Sequence, residues 1–151
     1  MTRSVAREIA VHFTFELGFS ELNAEELLAQ SLTEEEFALL GEEEPLYAKF
    51  PEKPQFEYIT TLVKGVFDHG AELDGYIEKY AKGWRFSRID RVAAAIMRVT
   101  MYEILYMPAI PNKVAINEAV EISKKYLDED VVKFVNGILG SFVRAEFPEE
   151  T

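Results

Sequence analysis

Apolar residues recur at three- and four-residue intervals along nearly the whole chain, and no stretch alternates with the period of two that a half-buried strand requires. The first run covers Arg3 to Leu17, with Val5, Ile9 and Phe13 on one stripe, and Gly18 ends it. Asn23 is placed to cap a second helix through Leu27 and Leu28. Thr33 and Glu36 have capping-box spacing and open a short third helix through Phe37. Pro45 to Pro54 contains three prolines and reads as a loop. Residues 55–81 read as helical again, burying Phe56, Ile59, Leu62, Val63, Val66 and Phe67, with Gly70 breaking or bending the run. Trp84 and Phe86 read as apolar anchors in the connection that follows.

Ser87 is placed to cap the longest strongly apolar helix, which reaches about Met107. Apolar on most faces, this helix is predicted at the centre of a core. Its least apolar face carries Arg91, Ala94, Ala95, Arg98 and Tyr102. Two more helices follow, Asn112 to Tyr126 and one capped by Asp128 or Asp130. The predicted fold class is all-α, a compact bundle of about seven helices. It forms a single domain with two subdomains, residues 1–82 and 83–151.

The last two helices carry the most informative pattern. In Lys113-Val114-Ala115-Ile116-Asn117-Glu118-Ala119-Val120-Glu121, Asn117 and Glu118 interrupt an apolar stripe. In Lys133-Phe134-Val135-Asn136-Gly137-Ile138-Leu139, Asn136 and Gly137 do the same. Glycine within a helix costs roughly 1 kcal/mol relative to alanine. Close approach of a neighbouring helix at Gly137 is the simplest compensation. The polar residues either make surface contacts or hydrogen-bond the two helices together.

Composition narrows the function. A chain of 151 residues that is 48% hydrophobic can bury a sizeable core. It has no cysteine, so disulfides and thiolate metal sites are excluded. No uncharged apolar segment approaches the roughly 18 residues that span a bilayer. The opening residues contain no signal-peptide run, so a cytoplasmic location is expected. His12 and His69 have no ligand-type partner at helical spacing, and neither a phosphate loop nor a nucleophile elbow is present. No catalytic residue, metal or cofactor is expected.

The formal net charge of −11 argues at first against nucleic acid. Yet eleven acidic residues and two lysines lie between Glu21 and Glu57, a local balance of −9. The remainder holds sixteen acidic and fourteen basic residues, which leaves room for a basic face. Arg3 and Arg7 share one side of the first helix turn, where positive charge opposes the helix dipole.

These segments together resemble the NusB family of bacterial transcription antitermination factors. The likeness is carried by Val5-Ala6-Arg7-Glu8-Ile9-Ala10-Val11, by Trp84 with Arg88-Ile89, and by Ile96-Met97-Arg98 with Tyr102-Glu103. The Pro111–Glu121 and Lys133–Leu139 segments complete it. The resemblance implies an all-helical factor that binds boxA-type single-stranded RNA of ribosomal RNA operon transcripts. Its partner would be the ribosomal protein NusE, with RNA polymerase and other antitermination factors engaged indirectly. It implies RNA contacts at Arg3, Arg7, Lys133 and Phe134, and partner contacts at Arg91, Ala93, Ala94 and Arg98 on the central helix. Phe134 is equally read as a core residue. The chain departs from the family in having few N-terminal arginines and in carrying Ala93-Ala94 where an Asp-Arg pair is usual. The rival reading is a helical protein–protein interaction module of the same fold, a homodimer among its forms, with little RNA binding.

Overall fold

Side-chain caps mark where several of the helices begin. In the computed structural model, which describes residues 1–150 with side chains through Glu149, Thr2 Oγ1 accepts from the Val5 N–H at 3.1 Å. This opens α1, Arg3–Leu17. Asn23 opens α2, Ala24–Ser31, with a complete capping box: Asn23 Oδ1 accepts from the Glu26 N–H at 2.8 Å and Glu26 Oε1 accepts from the Asn23 N–H at 3.0 Å. Thr33 caps α3, Glu34–Leu40, through the Glu36 N–H at 3.1 Å, without the return bond that its spacing predicts. A 3-10 turn, Pro45–Tyr47, leads to α4, Lys53–Asp68, and then α5, Gly70–Tyr80. The break falls at His69, whose φ of −105° and ψ of 18° leave the helical region, one residue before the glycine expected to make it.

A second 3-10 turn, Phe86–Arg88, precedes α6, Arg91–Tyr106. Asp90, not Ser87, caps α6: its Oδ1 accepts from the N–H groups of Val92 and Ala93 at 2.8 and 3.0 Å. Ser87 is held inside the 3-10 turn. Next come α7, Asn112–Tyr126, α8, Glu129–Glu146, and a 3-10 turn, Pro148–Glu150. The described residues therefore form eight α-helices, against about seven expected, and no strand.

The chain divides into two compact units, Met1–Asp68 and the residues from His69 onward, so α5 groups with the helices after it. In the first unit α1 packs on α4, burying Ala6, Ile9 and Phe13 with Ile59, Leu62 and Val63. Phe37 meets the rings of Tyr47 and Phe50 edge-on at 5.0 and 5.2 Å. His12 Nδ1 lies 2.9 Å from the Tyr47 hydroxyl, the half-buried packed role its sequence context suggests.

Two groups here have testable costs. Thr14 Oγ1 is buried with no hydrogen-bond partner. An unsatisfied buried hydroxyl is destabilising, and valine has nearly the same shape. Thr14→Val should raise stability by about 1 kcal/mol in denaturant unfolding. Glu16 is held above its ordinary pKa of 4.5, first by burial and then by the Glu36 carboxylate. Its ionised form therefore opposes folding above the folded-state pKa, and the penalty vanishes below the unfolded value. Glu16→Gln should raise Tm at pH 7, and the gain should disappear as pH falls through 4.5.

In the second unit α6 packs against α5, α7 and α8. Ala93, Ala95, Ile96, Met97, Val99 and Met101 are fully buried, so the helix occupies the centre that its composition predicts. Its buried hydroxyl, and that of α7, are satisfied within their own helices: Thr100 Oγ1 donates to the Ile96 carbonyl at 2.8 Å, and Ser123 Oγ to the Ala119 carbonyl at 2.7 Å.

Candidate nucleic-acid interface

Single-stranded nucleic acid is held by positive charge that follows its backbone and by aromatic faces on which bases stack. The second unit brings both together where the loop after α5 passes α8. Gly83 adopts φ 84°, a left-handed conformation that favours glycine, and so turns the chain out of α5. Trp84 follows, 52% exposed, with its ring edge-on to Phe134 at 6.0 Å. Trp84, Arg88 and Phe134 line a cavity of about 340 Å³ floored by Ile89 and Val131, with Asp90 and Asp130 at its rim. Arg85, Ser87 and Arg88 line an adjoining surface with Gly83 and Trp84. Phe134 is half-buried, so it is neither a free surface ring nor a member of the innermost core.

Lys133 is exposed beside it and lies 3.7 Å from Glu129, one helical turn away. An exposed pair of this kind contributes little and leaves the ammonium available to a ligand. Sequence reading singled out Lys133 and Phe134 as candidates but did not place Trp84, Arg85 and Arg88 beside them. The signal was present in Trp84-Arg85-Phe86-Ser87-Arg88, where aromatic and basic residues interleave.

In the first unit the two arginines part company. Arg3 is exposed, with its guanidinium 4.5 Å from the centre of the buried Tyr58 ring. Arg7 is only 2% exposed, 5.9 Å from the same ring, and is thus part of the packed α1–α4 face. The phosphate contact expected of Arg7 is not available in this conformation, because the α1 surface that carries it is covered.

The expected partner surface on α6 is also altered. Ala93 and Ala94 are 0% and 3% exposed, so neither offers a docking surface. Arg98 is half-buried and committed within the unit: its Nε and Nη2 donate to the two carboxylate oxygens of Asp74 at 2.6 and 3.1 Å. Its guanidinium also lies 5.0 Å from the Phe86 ring centre. Of the four expected residues, Arg91 alone is exposed. The other end of α6 presents Tyr102 and Tyr106, their rings 5.0 Å apart, with His69 packed 4.4 Å from Tyr106. Tyr106 donates its phenolic hydrogen to Glu72 at 2.6 Å, which pushes its pKa up to about 12.

Between α7 and α8 runs a second groove, lined by Lys113, Asn117, Lys133 and Asn136 over Ile116, Val120 and Val132. Asn117 and Asn136 are exposed. Among the described residues no hydrogen bond joins these two asparagines to each other across the helices. A Cβ on Gly137 would meet nothing within 4 Å. The close helix approach expected there is absent, because Gly137 faces open space.

Among the described residues no group of acidic or histidine side chains is arranged to hold a metal ion, and no helix is long and apolar enough to cross a membrane.

Comparison with known proteins agrees over the full chain. The NusB family model matches residues 4–144. The chain is 40% identical over 146 residues to the transcription antitermination protein NusB of Acetivibrio thermocellus, covering 97% of this chain and 91% of that protein. It is 35% identical over 151 residues to that of Ruminiclostridium cellulolyticum, covering 100% and 94% respectively. Among solved structures it matches T. maritima NusB with a TM-score of 0.82 at 27% identity, over 99% of this chain and 96% of that one. It also matches a chain in the crystal structure of antitermination factors NusB and NusE in complex with dsRNA, with a TM-score of 0.76 at 26% identity, over 95% and 96% of the two chains. With the whole helical order shared and the family model covering all but the chain ends, this protein belongs to the NusB family.

Proposed function

We infer that this chain is a cytoplasmic transcription antitermination factor that binds boxA-type single-stranded RNA together with the ribosomal protein NusE, without making or breaking a covalent bond. The observation that carries the reading is the Trp84–Phe134 ring pair, exposed on one side and flanked by Arg85, Arg88 and Lys133. An aromatic platform with basic neighbours suits an unstacked base and its phosphates. Arg3 supplies a further exposed cation on α1. Arg91 is the exposed residue left on the α6 surface expected to meet the protein partner. The names of the relatives and the NusB–NusE–RNA complex support this assignment.

The rival reading, a protein-docking module with little RNA binding, is favoured by the burial of Arg7 and by the net charge of −11. Binding to a labelled boxA-type RNA, with and without purified NusE and at two salt concentrations, separates the two. Salt-sensitive binding that tightens when NusE is added supports antitermination. NusE capture without RNA binding under either salt condition selects the rival.

A further inference from the structure

We propose that the groove between α7 and α8 is a second nucleotide subsite, in which Asn117 and Asn136 hydrogen-bond the edge of an unpaired RNA base while Lys113 and Lys133 hold the flanking phosphates. The proposal rests on the RNA-binding reading above and adds a place where RNA sequence is read. Its first support is that four polar side chains from two helices converge on one cavity of about 380 Å³. Its second is that the fold makes no evident use of the two asparagines. Asn117 and Asn136 interrupt apolar stripes, yet both are exposed and neither bonds the other helix. Gly137, next to Asn136, accommodates no neighbouring helix. Departures from the apolar pattern that the chain's own packing does not require point outward, to a ligand.

The chemistry of the lining selects the ligand. Ile116, Val120 and Val132 form an apolar floor suited to the face of a flat ring. A carboxamide offers paired donors and an acceptor, the set needed to read a base edge. An ammonium offers only donors and suits a phosphate. The two lysines disfavour a basic polypeptide in the groove, and an acidic peptide would leave the apolar floor and the amide donor–acceptor pairs unused. Position strengthens the case. Lys133 and Phe134 are consecutive on α8, and successive helical side chains diverge by about 100°. The α7–α8 groove and the Trp84–Phe134 cavity therefore flank one turn of α8. A strand crossing that turn lays one base against Phe134 and another between Asn117 and Asn136.

The test titrates the full chain with labelled boxA-type single-stranded RNAs in which each nucleotide in turn is made abasic. Asn117→Ala and Asn136→Ala should each weaken binding to the intact RNA about tenfold. That loss should vanish on the one RNA whose matching base is missing, and the melting temperature should stay unchanged. Lys113→Ala should lower the log–log salt slope by about one. Unchanged affinity in the asparagine variants, while Phe134→Ala still weakens binding, would overturn this subsite and leave the RNA-binding reading standing. Asparagine losses equal across every abasic RNA, or lost capture of NusE with RNA binding intact, would also overturn it. If the wild-type chain binds none of the RNAs, the RNA-binding reading fails and the subsite falls with it.

Discussion

Phe142→Ala is expected to destabilise the second unit by about 3–5 kcal/mol, the range for emptying a buried phenylalanine site. Phe142 is 0% exposed on α8. Its ring meets Tyr76 and Tyr80 of α5 edge-on, at 5.0 and 6.1 Å between centres, and Phe147 beyond the helix end at 5.9 Å. The same region is fastened by polar contacts. Glu146 accepts from Lys79 at 3.1 Å and from the Tyr80 hydroxyl, which together hold its carboxyl below the ordinary range. Removing the ring leaves a cavity lined by residues fixed on two helices, so collapse around it is restricted. The single tryptophan, Trp84, lies in this unit, and its fluorescence in a denaturant titration reports the loss directly. A loss below about 1 kcal/mol would show that α8 does not pack on α5 as described.

Phe134→Ala should weaken RNA binding by about 1–3 kcal/mol, the value of one base–aromatic stack. Unlike Phe142, Phe134 is half-buried and its principal ring contact is the exposed Trp84. Truncation therefore removes a wall of an open cavity, and its stability cost should be well below that of Phe142→Ala. Trp84→Ala should weaken RNA binding in the same direction with almost no change in Tm, because half of its surface is already in water. Neither ring carries charge, so both variants should keep the wild-type salt slope while their binding isotherms shift. A flattened slope, or a stability loss as large as that of Phe142→Ala with RNA affinity retained, would return Phe134 to the core.

Much of this molecule was legible in the order of its residues. Helical period located the helices, because a helix buries one stripe and that stripe recurs every three to four positions. Asn23 and Thr33 announced their helices through local hydrogen bonds that need only three residues of chain. The motifs from Val5 to Leu139, in order, carried the family. Lys133 and Phe134 were proposed as RNA contacts from the resemblance to the family's Lys-Phe step, which is written in the sequence itself.

Tertiary structure decided which helix face meets which. Arg7 was read as a surface cation because it lies four residues from Arg3, yet packing against the Tyr58 side of α4 covers one arginine and leaves the other in water. Ala93 and Ala94 were placed on a docking face by the resemblance, at the position of the family's usual Asp-Arg pair, and packing around α6 buries them. Alanine is small enough for either place and gives no sequence signal. Gly137 read as a close contact and proved open, while Trp84, read as an apolar anchor of the connection, stands 52% exposed. Periodicity reports that residues share a side; only the assembled helices show whether that side faces a neighbour or water.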